Sequence, residues 1–352
     1  MASLSYSKNH VSNKQIIKPT KKDVELLISS NKNELEEVKN QIENKKRDIN
    51  FQLKDGRTAL IYASCNGTLD IVKYLCENGA NLNLVDKEYN NSALMFAIGH
   101  NNEEVAKYLI EKGADITVKN TNGDTPLHFA CIKGNLNLVK LLHEKGCDLN
   151  EFNKEHNNPI IFSVGNNCID IVEYLINNNV NLNVIDGEKI SLLHMCIGVN
   201  LDFIEDKNNI LRNRKLKIMK MILEKDTSMI DYWCPKDYYT PLLSATMLNR
   251  VEFIKMLLEY GANPNINAPL NYSPLYHAIT CCNYEPNNFE IIKLLIEKGA
   301  DVNCRSHVLS LVSIHGGKYP LGNSILAVAK GYFNYDVLDL LESKNAIYAR
   351  DY

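Results

Sequence analysis

No apolar run in this chain approaches the roughly 18 residues that a membrane-spanning helix needs. The segment Met1 to Lys18 is polar and lacks the apolar stretch of a secretory signal, so residues 1–19 are expected to be a disordered tail. Neither sign of charge dominates. Lys and Arg number 39, Asp and Glu 42, and the net charge is −3. Such a balance exerts no general pull on nucleic acid or on an anionic membrane. The ten cysteines are scattered without paired spacing, which speaks against a disulfide framework. Single thiols acting as small hydrophobes suit a reducing compartment, cytoplasmic or nuclear.

Chemistry-bearing constellations are missing as well. There is no Cys-x-x-Cys or His-x-x-x-His pair to hold zinc. Cys281 and Cys282 are adjacent and poorly spaced for one metal. His143 and Cys147 have the spacing of one helix face, but Gly146 should end that helix first. Gly316-Gly317-Lys318 lacks the remainder of a phosphate-binding loop. An enzymatic site would have to be assembled from Asp202, Glu205, Asp206, His307 and His315, and no spacing among them supports one. The expectation is a protein with no catalytic residues, no cofactor and no metal.

What the sequence does contain is a motif that returns about every 33 residues. It is clearest as Thr125-Pro126-Leu127-His128-Phe129-Ala130, then Gly134, Leu138-Val139-Lys140-Leu141-Leu142, and Gly146-Cys147-Asp148-Leu149-Asn150. Weaker copies start at Thr58, Ser92, Asn158, Ser191, Thr240, Ser273 and Ser324, at successive intervals from Thr58 of 34, 33, 33, 33, 49, 33 and 51 residues. A fixed period of this size signals stacked repeats, each packing on its neighbours.

The residues account for a helix pair in each copy. A Thr125 hydroxyl can cap a helix, and Pro126 fits its first turn. Small Ala63, Ala97, Ala130 and Ala245 at one register let helices of adjacent copies approach. Leu138, Leu141 and Leu142, like Ile71, Tyr74 and Leu75, have helical spacing for the core face of the second helix. Gly79, Gly113, Gly146, Gly261 and Gly299 suit a left-handed cap after it. Asp55-Gly56 and Asn122-Gly123 are tight-turn signals for the tips of hairpins.

This pattern resembles the ankyrin repeat over residues 24 to 346. The resemblance implies an all-α dominated repeat solenoid: stacked helix-turn-helix units with short β-hairpin connections. The expected organisation is one solenoid of about nine units over 20–352. Residues 20–53 form a degenerate N-terminal cap, 54–318 hold seven clear repeats, and 319–352 form a C-terminal cap. Insertions fall near 199–214, 283–288 and 306–319. The heavy use of asparagine, 46 residues, points to an AT-rich genome more than to a function.

The resemblance also implies a function. A concave face lined by hairpin tips and first helices would bind a protein partner, making the chain a non-enzymatic scaffold or adaptor. A regulatory subunit or a host-directed effector is the alternative, acting in a host cytosol in the effector case. Neither nucleic acid nor membrane is expected as a partner, and the chain is expected to be monomeric. Tyr89, Trp233 (the only Trp), Tyr238, Tyr239, Met247, Leu248, Leu270 and Tyr272 are the candidate contact residues. Aromatic and Met side chains suit interface anchors, although packing of hairpin on hairpin would also explain them. His128, His194 and His277 read as structural links between repeats. Asp115, Asp148 and Asp301 read as turn residues that bind backbone amides, and the run Arg212, Arg214, Lys215, Lys217, Lys220 reads as a solvated helix face.

Overall fold

A computed structural model describes residues 25–198, 210–235, 239–267, 273–281, 287–304, 324–331 and 335–346. The expected tail at 1–19, the insertion at 306–319, most of the other two insertions, and Tyr238, Leu270 and Tyr272 lie outside the described residues. The chain divides into two compact units, Met1–Thr121 and Asn122–Tyr352.

The first unit holds three helix pairs: α1 (Glu25–Asn31) with α2 (Leu35–Glu43), α3 (Ala59–Asn66) with α4 (Leu69–Glu77), and α5 (Ala93–Gly99) with α6 (Glu103–Glu111). The second unit begins with α7 (Pro126–Lys133) and α8 (Leu136–Glu144), α9 (Pro159–Gly165) and α10 (Ile169–Asn177), then α11 (Leu192–Ile197) and α12 (Ile210–Lys225). It continues with α13 (Pro241–Met247) and α14 (Val251–Glu259), α15 (Pro274–Thr280) and α16 (Asn288–Glu297), then α17 (Ile325–Gly331) and α18 (Tyr335–Ser343). Within each unit the first helices pack side by side in one row, α1 on α3 on α5 and α7 on α9 through to α17, while second helices pack in another. Both units have the repeat architecture read from the sequence.

The same cap starts the first helix in repeat after repeat. Side chains of Thr58, Ser92, Asn158, Ser191, Thr240, Ser273 and Ser324 each accept the N–H three residues on. Thr125 forms a capping box with His128. Each cap satisfies an orphan donor and contributes about 1 kcal/mol. Ala63, Ala97, Ala130, Ala245 and Ala278 are buried at the register where neighbouring first helices meet, and Cys196 takes the same place in α11.

The second-helix core stripe differs from the expected one. Leu138, Val139 and Leu142 are buried, as are Ile71, Val72 and Leu75, while Leu141 and Tyr74 are half-exposed. These helices touch both their own first helix and neighbouring second helices, which turns the stripe by one residue. The displaced register becomes a rim that ties repeats together. Tyr74 donates to Glu43 Oε1 at 2.7 Å, and the Tyr174 hydroxyl lies 2.8 Å from His143 Nδ1.

The connecting loops are hairpins with little strand character. Among the described residues they carry three single antiparallel bridges, Val85 with Ser92, Ile185 with Ser191 and Cys234 with Tyr239. Side chains supply the remaining order. Asp86 accepts from Tyr89 and Asn91 N–H, and Asn153 Oδ1 from Glu155 and Asn157 N–H. At the base of each loop, Asp115, Asp148 and Asp301 accept the N–H two residues on, as expected. A second polar residue then reaches the next repeat: Asn50 Oδ1 accepts Asn81 N–H at 2.7 Å, Asn83 accepts Asp115, Asn150 accepts Asn181, Asp231 accepts Asn263 and Asn265 accepts Asp301.

Candidate functional site

Histidines fix the hairpins onto the first helices. His128 is fully buried; its Nε2 donates to Glu151 O at 3.0 Å, in the hairpin leading to the next repeat, and its Nδ1 receives Thr125 N–H and hydroxyl. These partners assign the neutral tautomer with the proton on Nε2. Burial pushes its pKa below the usual histidine range. His194 repeats the arrangement with Ser191 and with Tyr239 O at 3.1 Å. In α15 that register is taken by buried Tyr276, and His277 is its half-buried neighbour. Rigid hairpins are what a preformed recognition surface requires.

Of the candidate contact residues, Tyr89 lies in the first unit, half-buried, with its N–H on Asp86 and its carbonyl accepting Thr121 N–H. Trp233, Tyr239, Met247 and Leu248 lie in the second unit. Trp233 is 43% exposed and stands next to Cys234, whose bridge to Tyr239 closes that hairpin. Tyr239 is half-buried and its carbonyl is taken by Cys234 N–H and His194. Met247 and Leu248 end α13, both half-buried.

One register was missed. Asn153, Asp186 and Cys234 each donate their N–H to the carbonyl of the residue before a cap, Asn157, Ile190 and Tyr239, so Trp233 occupies the position of Ile185 and Phe152 on the two preceding hairpins. Phe152 is 41% exposed, and with Ile185 and Val184 it walls a hollow of about 290 Å³ whose polar rim includes His156, Asp186 and Lys189. Tyr232 donates to Lys189 O at 3.1 Å, joining the Trp233 hairpin to that rim. The second unit therefore carries an apolar column, Phe152, Ile185 and Trp233, on three consecutive hairpins. The signal was available as an apolar residue just before the hairpin-closing Asn153 and Asp186, but it is visible only once the hairpins are aligned.

A second missed register lies on the first helices. The fourth residue after the cap is aromatic in four consecutive repeats, Tyr62 and Phe96 in the first unit and Phe129 and Phe162 in the second, all half-buried. In the first unit Arg57 lies against this register, its Cζ 5.9 Å from the Tyr62 ring and 5.6 Å from the Phe96 ring. His100 stacks on Phe96 with centroids 6.3 Å apart.

The basic run is only partly a solvated face. Arg214, Lys217 and Lys220 are exposed, and Arg212 lies 3.9 Å from Glu252. Lys215 is 6% exposed, and its Nζ donates to Met195 O at 3.2 Å. Helix α12 starts at Ile210, so five residues assigned to the inserted stretch are helical, and Lys215 sits inside a helix where other repeats have a cap. Burial drives its pKa down. Burial also pushes the thiols of Cys131 and Cys196 up to about 12, which leaves them unreactive. Among the described residues no group of three or more His, Cys, Asp or Glu could hold a metal, and no helix is long and apolar enough to cross a membrane.

Comparison with known proteins agrees with this geometry. A family profile described as ankyrin repeats matches in three copies, over residues 26–120, 116–186 and 209–306. A 65-residue stretch is 48% identical to an acyl-CoA-binding domain-containing protein 6 homolog of Dictyostelium discoideum, covering 18% of this chain and 22% of that protein. Another of 76 residues is 33% identical to the putative ankyrin repeat protein FPV233 of fowlpox virus (strain NVSL), covering 21% of this chain and 14% of the viral one. The chain thus spans less than a quarter of either relative. Ankyrin repeats generally mediate protein–protein interactions and are typically without enzymatic activity. With capped helix pairs, hairpins pinned by histidine and asparagine, and a family match over most of its length, this chain belongs to the ankyrin repeat family.

Proposed function

We propose that this protein is a non-enzymatic adaptor or scaffold that holds a protein partner against the hairpins and first helices of its second unit. The observation that supports this most is the Phe152, Ile185 and Trp233 column. Two large aromatic side chains stand over 40% exposed at one register, and one of them, Phe152, walls a hollow of about 290 Å³. Exposed aromatics on fixed hairpins, next to a polar-rimmed hollow in the case of Phe152, are what interface anchors look like. Tyr239, Met247 and Leu248 would extend the same contact, and Tyr89 a separate one in the first unit. A regulatory subunit or a host-directed effector would use this surface in the same way and differ only in what it holds. We place the protein in the cytoplasm, as a monomer, without nucleic-acid or membrane partners.

The test is affinity capture and mass spectrometry from lysate of the source cell, comparing the natural chain with a Phe152→Ser/Trp233→Ser variant of unchanged melting temperature. A partner lost by the variant supports the column as the site. A partner retained by both moves the site elsewhere.

A further inference from the structure

The first unit carries a cluster that neither the core nor the hairpin scaffold explains. Arg57 directly precedes the Thr58 cap, where other repeats have Asn91, Asp124, Asn157, Ile190 and Tyr239. Its guanidinium lies against Tyr62 of its own repeat and Phe96 of the next, at 5.9 and 5.6 Å from the ring centroids. Both rings are half-buried, and exposed His100 extends the wall by stacking on Phe96. The backbone beneath is fixed, since Arg57 N–H donates to Asp55 Oδ1 and Arg57 O accepts Leu53 N–H. The ion pair is loose: Nε is 3.7 Å from Asp55 Oδ2, too long for a hydrogen bond, and Nε has no acceptor. The side chain as a whole stays 34% exposed, with Nε buried.

From this geometry we infer that Arg57, Tyr62, Phe96 and His100 form a recognition site for a partner peptide that presents a carboxylate side chain beside an apolar one. The carboxylate pairs with the guanidinium, and the apolar neighbour lies on the aromatic wall. A planar guanidinium suits a carboxylate, and its stacking between rings removes much of the rotamer freedom that pairing would otherwise cost. Charge narrows the ligand. On the two hairpins involved, Lys54, Arg57 and Lys87 are balanced by Asp55, Asp86 and Glu88, with Asp86 buried and held by the N–H groups of Tyr89 and Asn91. With no surplus of positive charge around it, a single guanidinium matches a monoanionic carboxylate better than a phosphate dianion.

This inference rests on the chain being an interaction module, but it concerns different residues from the hairpin column. The probe comes from panning a random peptide display library on the full chain. The consensus peptide is then synthesised with Glu, Gln or phosphoserine at its acidic position and titrated by fluorescence anisotropy. The expected result is a consensus with one fixed acid next to an aliphatic or aromatic residue. The Glu peptide should bind about tenfold tighter than the Gln peptide, equivalent to about 1.4 kcal/mol. In an Arg57→Gln variant of unchanged melting temperature that difference should vanish, and Arg57→Lys should restore only part of it. Trp233→Ser should leave it intact. A consensus without an acid, discrimination that survives Arg57→Gln, or stronger binding of phosphoserine overturns the inference. Peptides lost only with Trp233→Ser overturn it while leaving the adaptor reading standing. Failure to enrich any peptide counts against both.

Discussion

At the scale of single residues, asparagine and glycine share the left-handed positions that let helices end. Seven of the ten described non-glycine residues at positive φ are Asn, so the asparagine content answers a structural need besides any genomic bias. Asn101, Asn167 and Asn249 close first helices where Gly67, Gly134 and Gly198 do so elsewhere. Two glycines separate conformational strain from space. At Gly79, φ is +88° and an added Cβ meets nothing, so Gly79→Ala is expected to cost about 1 kcal/mol from conformation alone. At Gly67, φ is +75° and an added Cβ would come within 2.5 Å of Asn102 Oδ1, whose amide holds the carbonyls of Ser64 and Cys65. Gly67→Ala should therefore cost about 3 kcal/mol in urea titration, adding a broken clamp to the strain. His128 gives a pH signature. Its folded pKa lies below the ordinary value of 6.5, so below that pH the unfolded chain binds the additional proton. Its contribution is present above pH 6.5 and is lost on acidification. His128→Ala should cost about 2 kcal/mol at neutral pH by removing a capping box and the buried bond to Glu151 O, and should flatten the fall in stability between neutral and mildly acidic pH.

At the scale of elements, α12 is the departure, with 16 residues against nine in α4, α6, α8, α10 and α14. Lengthening its N-terminus carries Lys215 from a cap position into the packed side of the helix. The bond to Met195 O places the ammonium at the C-terminal end of α11, where a cation is favoured. Desolvation outweighs that gain, as the lowered pKa shows. Lys215→Met is expected to raise stability by about 1 kcal/mol at pH 7, read from the thermal midpoint. A loss instead would show that the carbonyl bond outweighs burial.

For the whole molecule, repeat packing makes stability a sum of local terms within each compact unit. Leu94 is fully buried in α5 of the first unit, and Leu94→Ala should cost about 3 kcal/mol. Trp233, the single indole, reports on the second unit. In urea, the variant's far-UV circular dichroism should start to fall earlier, while the Trp fluorescence midpoint stays at the natural value. Equal shifts in both signals would instead mean that the chain unfolds as one cooperative block.

The sequence by itself determined the repeat, the caps, the small residues between first helices and the turn glycines, because each depends on residues close in the chain. It also made His128 and His194 legible as links, since the motif places them at a fixed distance from their caps. Tertiary structure decided the rest. Whether Leu141 or Val139 faces the core depends on which neighbours a second helix meets, and whether Lys215 is solvated depends on where α12 begins. The apolar column and the Arg57 cluster join residues 33 or more positions apart, or on opposite sides of a cap. Only the stacking of one repeat on the next brings such side chains onto one surface.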